Sequence, residues 1–160
     1  MATPTYDLLA STTLATAASS VTFSSINQTY GDLIFVCDYR GATTFSALWG
    51  EVNSDVGNNY NFVIAQGEGG NATSQALTNQ DRFSFGNTPS TESQMSVIQF
   101  LDYSATNKHK SVLSRENRAN DRVLMRASRW ANTAAITQVR FNSSSNFAIG
   151  STFNLYGIAK

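Results

Sequence analysis

Leu33-Ile34-Phe35-Val36-Cys37 is the stretch whose reading decides the fold. It follows the turn signal Gly31-Asp32 and holds five apolar residues, two of them β-branched, with no polar interruption. Five residues suit a strand and are too few for a helix with one buried stripe. An unbroken apolar run, rather than an alternating one, predicts a central strand covered on both faces. On that reading Val36→Asp buries an unpaired charge and should prevent folding.

Outward from this run the same grammar repeats. Short segments rich in Val, Ile, Phe, Tyr and Thr are separated by Gly, Asn, Ser and Asp clusters. Upstream lie Tyr6 to Ala10 and the alternating Val21-Thr22-Phe23-Ser24. Downstream come Phe45 to Val52, Tyr60 to Ala65, a weak stretch from Gly67 to Asn79, and Arg82 to Phe85. Met95 to Tyr103, Lys110 to Ser114, Val123 to Trp130, Ile136 to Phe141 and Thr152 to Ile158 complete the series. Helical candidates are few: Thr12 to Ser19 has no amphipathic stripe, and Arg115 to Met125 has room for a helical turn. The expectation is an all-β chain of about nine to eleven short strands, an antiparallel β-sandwich or jelly roll with Greek-key connections. Residues 1–160 read as a single domain, with no linker or solenoid repeat. Area scaling leaves roughly 7,900 Å² of about 25,000 Å² exposed after folding, enough burial for a core without disulfides or metal.

Composition narrows the function. Charged residues are 14% of the chain, while Ser, Thr and Asn together fill 52 of its 160 positions. Cys37 is the single cysteine, so neither an internal disulfide nor a cysteine-built zinc site can form within the chain. No run of eighteen apolar residues predicts a membrane span, and no basic-then-apolar start predicts a secretory signal. A formal net charge of zero argues against a general nucleic-acid binder.

Catalytic patterns are weak. His109, the sole histidine, sits between Lys108 and Lys110 and reads as a solvated loop residue rather than a base. There is no G-x-S-x-G elbow, and Gly67-Glu68-Gly69-Gly70 lacks the Lys-Ser/Thr of a phosphate loop. The acidic residues single out no facing pair of the kind a glycosidase needs. Asn53-Ser54-Asp55-Val56-Gly57-Asn58 offers oxygens at alternate positions, as a calcium loop does, but has no downstream bidentate Glu. It reads as an Asx-type turn. The chain is therefore expected to be no enzyme and to carry no cofactor or metal.

One segment stands out. Lys108, Lys110, Arg115, Arg118, Arg122, Arg126 and Arg129 lie within 22 residues that hold only Glu116 and Asp121 as acids, a balance of +5. The remainder balances at −5, so the neutrality is a sum of opposed regions. Two readings stand: a solvated hairpin, or a docking face for an acidic partner surface, for which arginine is suited. Trp49, Tyr60 and Trp130 are aromatics that would serve a sugar site, although each lies in a strand run where core packing competes.

The remaining stretches of note are Tyr6 to Leu14, Ala18-Ser19-Ser20-Val21-Thr22-Phe23-Ser24-Ser25-Ile26, Gln28-Thr29-Tyr30-Gly31-Asp32-Leu33, Asn53 to Tyr60, Trp130 to Thr137 and Asn146 to Ile158. Together they resemble a recurrent bacteriophage virion module, found as a stand-alone virion protein and at the ends of phage tail and fibre proteins. The similarity is least over Ala65 to Thr91 and the basic stretch, and Asn27 stands where the module usually has Pro. The resemblance implies a non-enzymatic structural protein on the virion surface, with no catalytic residues to carry over. Its expected partners are other virion proteins, the major capsid protein first, and copies of itself, as a trimer. The shortness of the chain favours a capsid decoration (cement) protein. The alternative is a tail-associated or fibre-tip adhesin for host glycans.

Overall fold

The computed structural model describes residues 5–43, 46–88, 92–118 and 122–160, with the side chains of residues 46, 87 and 88 set aside. Phe45 and Asp121 thus lie outside the described residues. Twelve antiparallel strands form two sheets, and no helix occurs among the described residues. In chain order they are β1 (Tyr6–Thr13), β2 (Ala18–Phe23), β3 (Asp32–Tyr39), β4 (Ser46–Val52), β5 (Tyr60–Glu68) and β6 (Asn71–Gln80). Then come β7 (Phe83–Thr88), β8 (Gln94–Leu101), β9 (Lys110–Arg118), β10 (Arg122–Trp130), β11 (Val139–Phe147) and β12 (Thr152–Ile158). The larger sheet runs β1-β12-β3-β8-β9-β10-β5-β6, and the smaller β2-β11-β4-β7. The expected β-sandwich is what forms, with one strand more than the upper expectation.

The two sheets meet through aromatic side chains. Phe35 on β3 touches Phe23 and Phe141 of the small sheet edge-on, with ring centroids 5.3 and 5.1 Å apart, and Phe100 beside it at 5.6 Å. Tyr60, Phe83, Phe85, Phe147 and Phe153 extend the same edge-to-face packing through the core. Such pairs add about 0.5–1.5 kcal/mol each beyond the area they bury. The accessible surface, 7893 Å², is close to what the mass predicts.

Two elements depart from the sequence reading. Thr12 to Ser19 is the end of β1 and the start of β2, and Arg115 to Met125 belongs to β9 and β10 as far as it is described. The run expected from Ile136 to Phe141 is also displaced, forming β11 from Val139 through the Ser143-Ser144-Ser145 run to Phe147. The opening stretch is corrected as well. Leu33, Phe35 and Cys37 are fully buried between the sheets, but Ile34 and Val36 point away from the core and are half-buried. β3 lies inside the eight-stranded sheet, yet the described residues cover only one of its faces. Val36→Asp therefore places a carboxylate at an open surface, and the expected failure to fold no longer follows.

Candidate interaction surface

Alternation along β9 and β10 sorts the basic segment. Lys110, Val112, Ser114 and Glu116 face inward from β9, as do Arg122, Leu124, Arg126, Ser128 and Trp130 from β10. Lys110 is wholly buried, and its Nζ donates to the carbonyls of Ala105 (2.6 Å), Lys108 (3.0 Å) and Thr133 (3.2 Å). Burial first, then the charge of Lys108, holds its ammonium below the usual lysine range. Glu116 is buried and accepts hydrogen bonds from Arg126 and from Ser114 Oγ at 2.7 Å. Burial pushes its carboxyl above the ordinary range, partly offset by Arg126. Arg118 pairs with Glu68 at 2.7 Å and Glu92 at 3.7 Å, and Arg122 lies 3.9 Å from Glu68. Gly86 lets this cluster close: a Cβ there would meet Gln94 Nε2 at 2.5 Å and Glu116 Oε2 at 2.8 Å.

The seven cations are thus not one face. Lys110, Arg118, Arg122 and Arg126 are used inside the fold, where each has an acidic or carbonyl partner. Lys108 is exposed but paired with Asp102 at 2.6 Å. Arg115 and Arg129 alone of the seven stand on the outer face of the large sheet, both exposed. A docking surface made of all seven is ruled out by this geometry. Sequence alternation alone hid the division, because the opposite parity of β10 carries Val123, Met125 and Ala127 and looks equally apolar.

That opposite parity is the informative one. Strand register aligns Ile34, Gln99, Leu113, Ala127 and Val63 in one row across the outer face. Val36, Val97, Arg115, Met125 and Ala65 form the next row. Asp38, Met95, Asn117, Val123 and Gly67 follow, Asp38 being exposed. Val63, Met95, Leu113, Val123 and Met125 are each between 45% and 63% exposed. A groove of about 410 Å³ runs past Val63, Leu113 and Met125, lined also by Ile34 and Val97, with Gln99, Ser114, Arg115 and Arg126 as its polar members. Soluble monomers rarely leave so contiguous an apolar area open without a use for it. In the sequence this face shows as two-sided apolarity, in β3 and again in β10, and such apolarity looks the same whether the second face is buried or open.

Other expectations resolve simply. His109 is exposed in the loop before β9. Cys37 is buried, and burial pushes its thiol up, away from reactivity. The Asn53–Asn58 loop uses its oxygens on the protein itself. Asp55 accepts from Gly57 N–H (2.8 Å), Asn59 Nδ2 (2.9 and 3.2 Å) and Trp130 Nε1 (2.7 Å). Tyr60 and Trp130 are buried and offer no ring face to a sugar, whereas Trp49 is half-buried beneath Arg82, 5.2 Å from its ring.

Fold and surface together define a class: an antiparallel two-sheet β-sandwich with an open apolar face on its larger sheet. No family model and no curated protein matches the chain. Among solved structures, galectin LEC-6 of Caenorhabditis elegans is similar at 7% identity and a TM-score of 0.33, over 100% of this chain and 99% of that one.

Proposed function

We propose that the chain is a non-enzymatic bacteriophage virion structural protein, a capsid decoration protein that seats the outer face of its eight-stranded sheet on the head shell. The observation that carries the docking is the row-by-row apolar outer face around Leu113 and Met125. The virion assignment rests on the sequence resemblance of the stretches from Tyr6 to Leu33 and from Asn146 to Ile158. Apolar contact supplies the binding, and Arg115 within the face with Arg129 at its rim selects acidic groups on the partner. This replaces the purely ionic docking face expected from the basic segment. The alternative, a tail or fibre-tip adhesin, predicts a different location on the particle.

The test is binding of purified protein to undecorated capsids. Leu113→Asp with Met125→Asp leaves the core untouched and removes two apolar contacts of about 1–2 kcal/mol each, so affinity should fall more than tenfold. Unchanged occupancy by a folded double variant would refute the docking face. Labelling of tails instead of heads on intact particles would favour the adhesin. Arg118→Glu with Arg122→Glu is no test of docking, because both side chains are engaged inside the fold.

A further inference from the structure

We infer that β6 is an interface with a second copy of this chain, pairing antiparallel with the partner's β6 across a twofold axis to join the two eight-stranded sheets edge to edge. Independently of any docking on a shell, the two sheets present four edges, β1, β6, β2 and β7. An edge strand offers unpaired N–H and C=O groups, and proteins that stay monomeric blunt it with charge, proline, bulges or shortness. Three edges here are blunted. β1 carries Asp7 and a bulge between Leu8 and Ala10. β2 and β7 are six residues each, with irregular pairing between Asn142 and Phe147 beside β2 and between Ala47 and Trp49 beside β7.

β6 has none of these devices over most of its length. Asn-Ala-Thr-Ser-Gln-Ala-Leu-Thr-Asn-Gln is the longest strand, with no charge and no proline, and is exposed at eight of its ten residues. Its one irregularity lies at the far end, where Tyr60 pairs with Gln80 and Phe62 with Leu77. From Asn71 to Leu77 it runs in unbroken register on β5, fixed by the turn at Gly69 (φ 56) and Gly70 (φ 83). The free side of this regular seven-residue stretch is thus held ready for a strand partner.

The strand also suits itself. Ala72, Ser74 and Ala76 share the outer face with Gly67, Ala65 and Val63, whereas Thr73, Gln75 and Leu77 share the inner one. Opposed residues of an antiparallel pair must share a face, so a twofold pairing centres on a residue. Centring on Gln75 pairs the regular stretch from Thr73 to Leu77 with its copy. It opposes Ser74 to the copy's Ala76, Thr73 to its Leu77 and Ala72 to its Thr78. These are small or β-tolerant pairs with no like charges to repel. The interface is isologous and therefore dimeric, not the threefold arrangement expected of a virion subunit. It also carries the outer-face row ending at Val63 and Ala76 straight into the partner.

The experiment is solution mass by light scattering or sedimentation across rising concentration. Wild type should approach twice 17.4 kDa. Ser74→Lys with Ala76→Lys sets four ammonium groups against one another at exposed positions and should give 17.4 kDa with an unchanged circular dichroism spectrum. Because Cys37 is buried, Gln75→Cys introduces the one accessible thiol and should give a covalent dimer on mild oxidation, while Asn107→Cys, exposed in the β8–β9 loop, should not. A monomeric wild type, a dimer that persists in the folded lysine variant, or equal trapping by the two cysteine variants would each overturn the proposal. If the lysine variant fails to fold, the comparison of the two cysteine variants decides.

Discussion

Trp130 Nε1 donates to Asp55 Oδ2 across 2.7 Å, and the same carboxylate takes the Gly57 N–H and the Asn59 amide, tying the loop after β4 to the end of β10. Partial burial pushes the Asp55 carboxyl up, but these three donors outweigh it and hold it below the usual aspartate range. A lowered folded pKa contributes stability that is present above the unfolded value and is lost as pH falls through the folded one. Asp55→Asn should therefore lower the melting temperature near neutrality and flatten its decline below about pH 4. An unaltered acid limb in thermal melts from neutral to acid pH would count against this role. Beside Trp130, at the start of β9, Lys110→Met takes the donor from three part-buried carbonyls. It should cost about 1–3 kcal/mol in denaturant unfolding. That Asp55 would stay a turn residue was legible in Asn53-Ser54-Asp55-Val56-Gly57. Its Trp130 partner was not, because 75 residues separate the two. Nor was the burial of Lys110, since no local pattern announces a lysine whose ammonium caps three backbone carbonyls.

β3 is the element where sequence and structure differ most usefully. Its five apolar residues identify a strand and place it inside a sheet, and both are correct. They do not say what covers the second face, since an apolar side chain reads the same whether it meets its own core or awaits a partner. The two parities give a direct contrast. Phe35→Ala removes the ring that joins both sheets and should cost about 3–5 kcal/mol. Val36→Asp, on the outer face, should leave a folded protein with a cooperative melt. Loss of folding in Val36→Asp would mean that the outer face is covered within the chain. β9 and β10 pose the same ambiguity, and there it concealed four inward cations. β6 was legible as a weak strand only, because an uncharged polar sequence has no apolar alternation to mark its faces.

Across the whole molecule, aromatic and β-branched runs between Asn/Gly/Ser turns were enough to specify an all-β sandwich, since each run is local and its period is short. Sheet membership was not legible. β1 pairs with β12 across nearly the whole chain, and β5 with β10 across more than fifty residues. The charge pattern misled for a related reason: +5 in a segment says nothing about which side of a strand each charge takes, and three of its seven cations, Arg118, Arg122 and Arg126, pair with Glu68, Glu92 and Glu116. What the molecule leaves open is an apolar face of the larger sheet with Arg115 set in it. High-resolution imaging of particles carrying the protein tests that face most directly. The account predicts Leu113, Met125, Val97 and Arg115 against the shell protein. It would be contradicted by a bound subunit whose eight-stranded sheet turns that face to solvent.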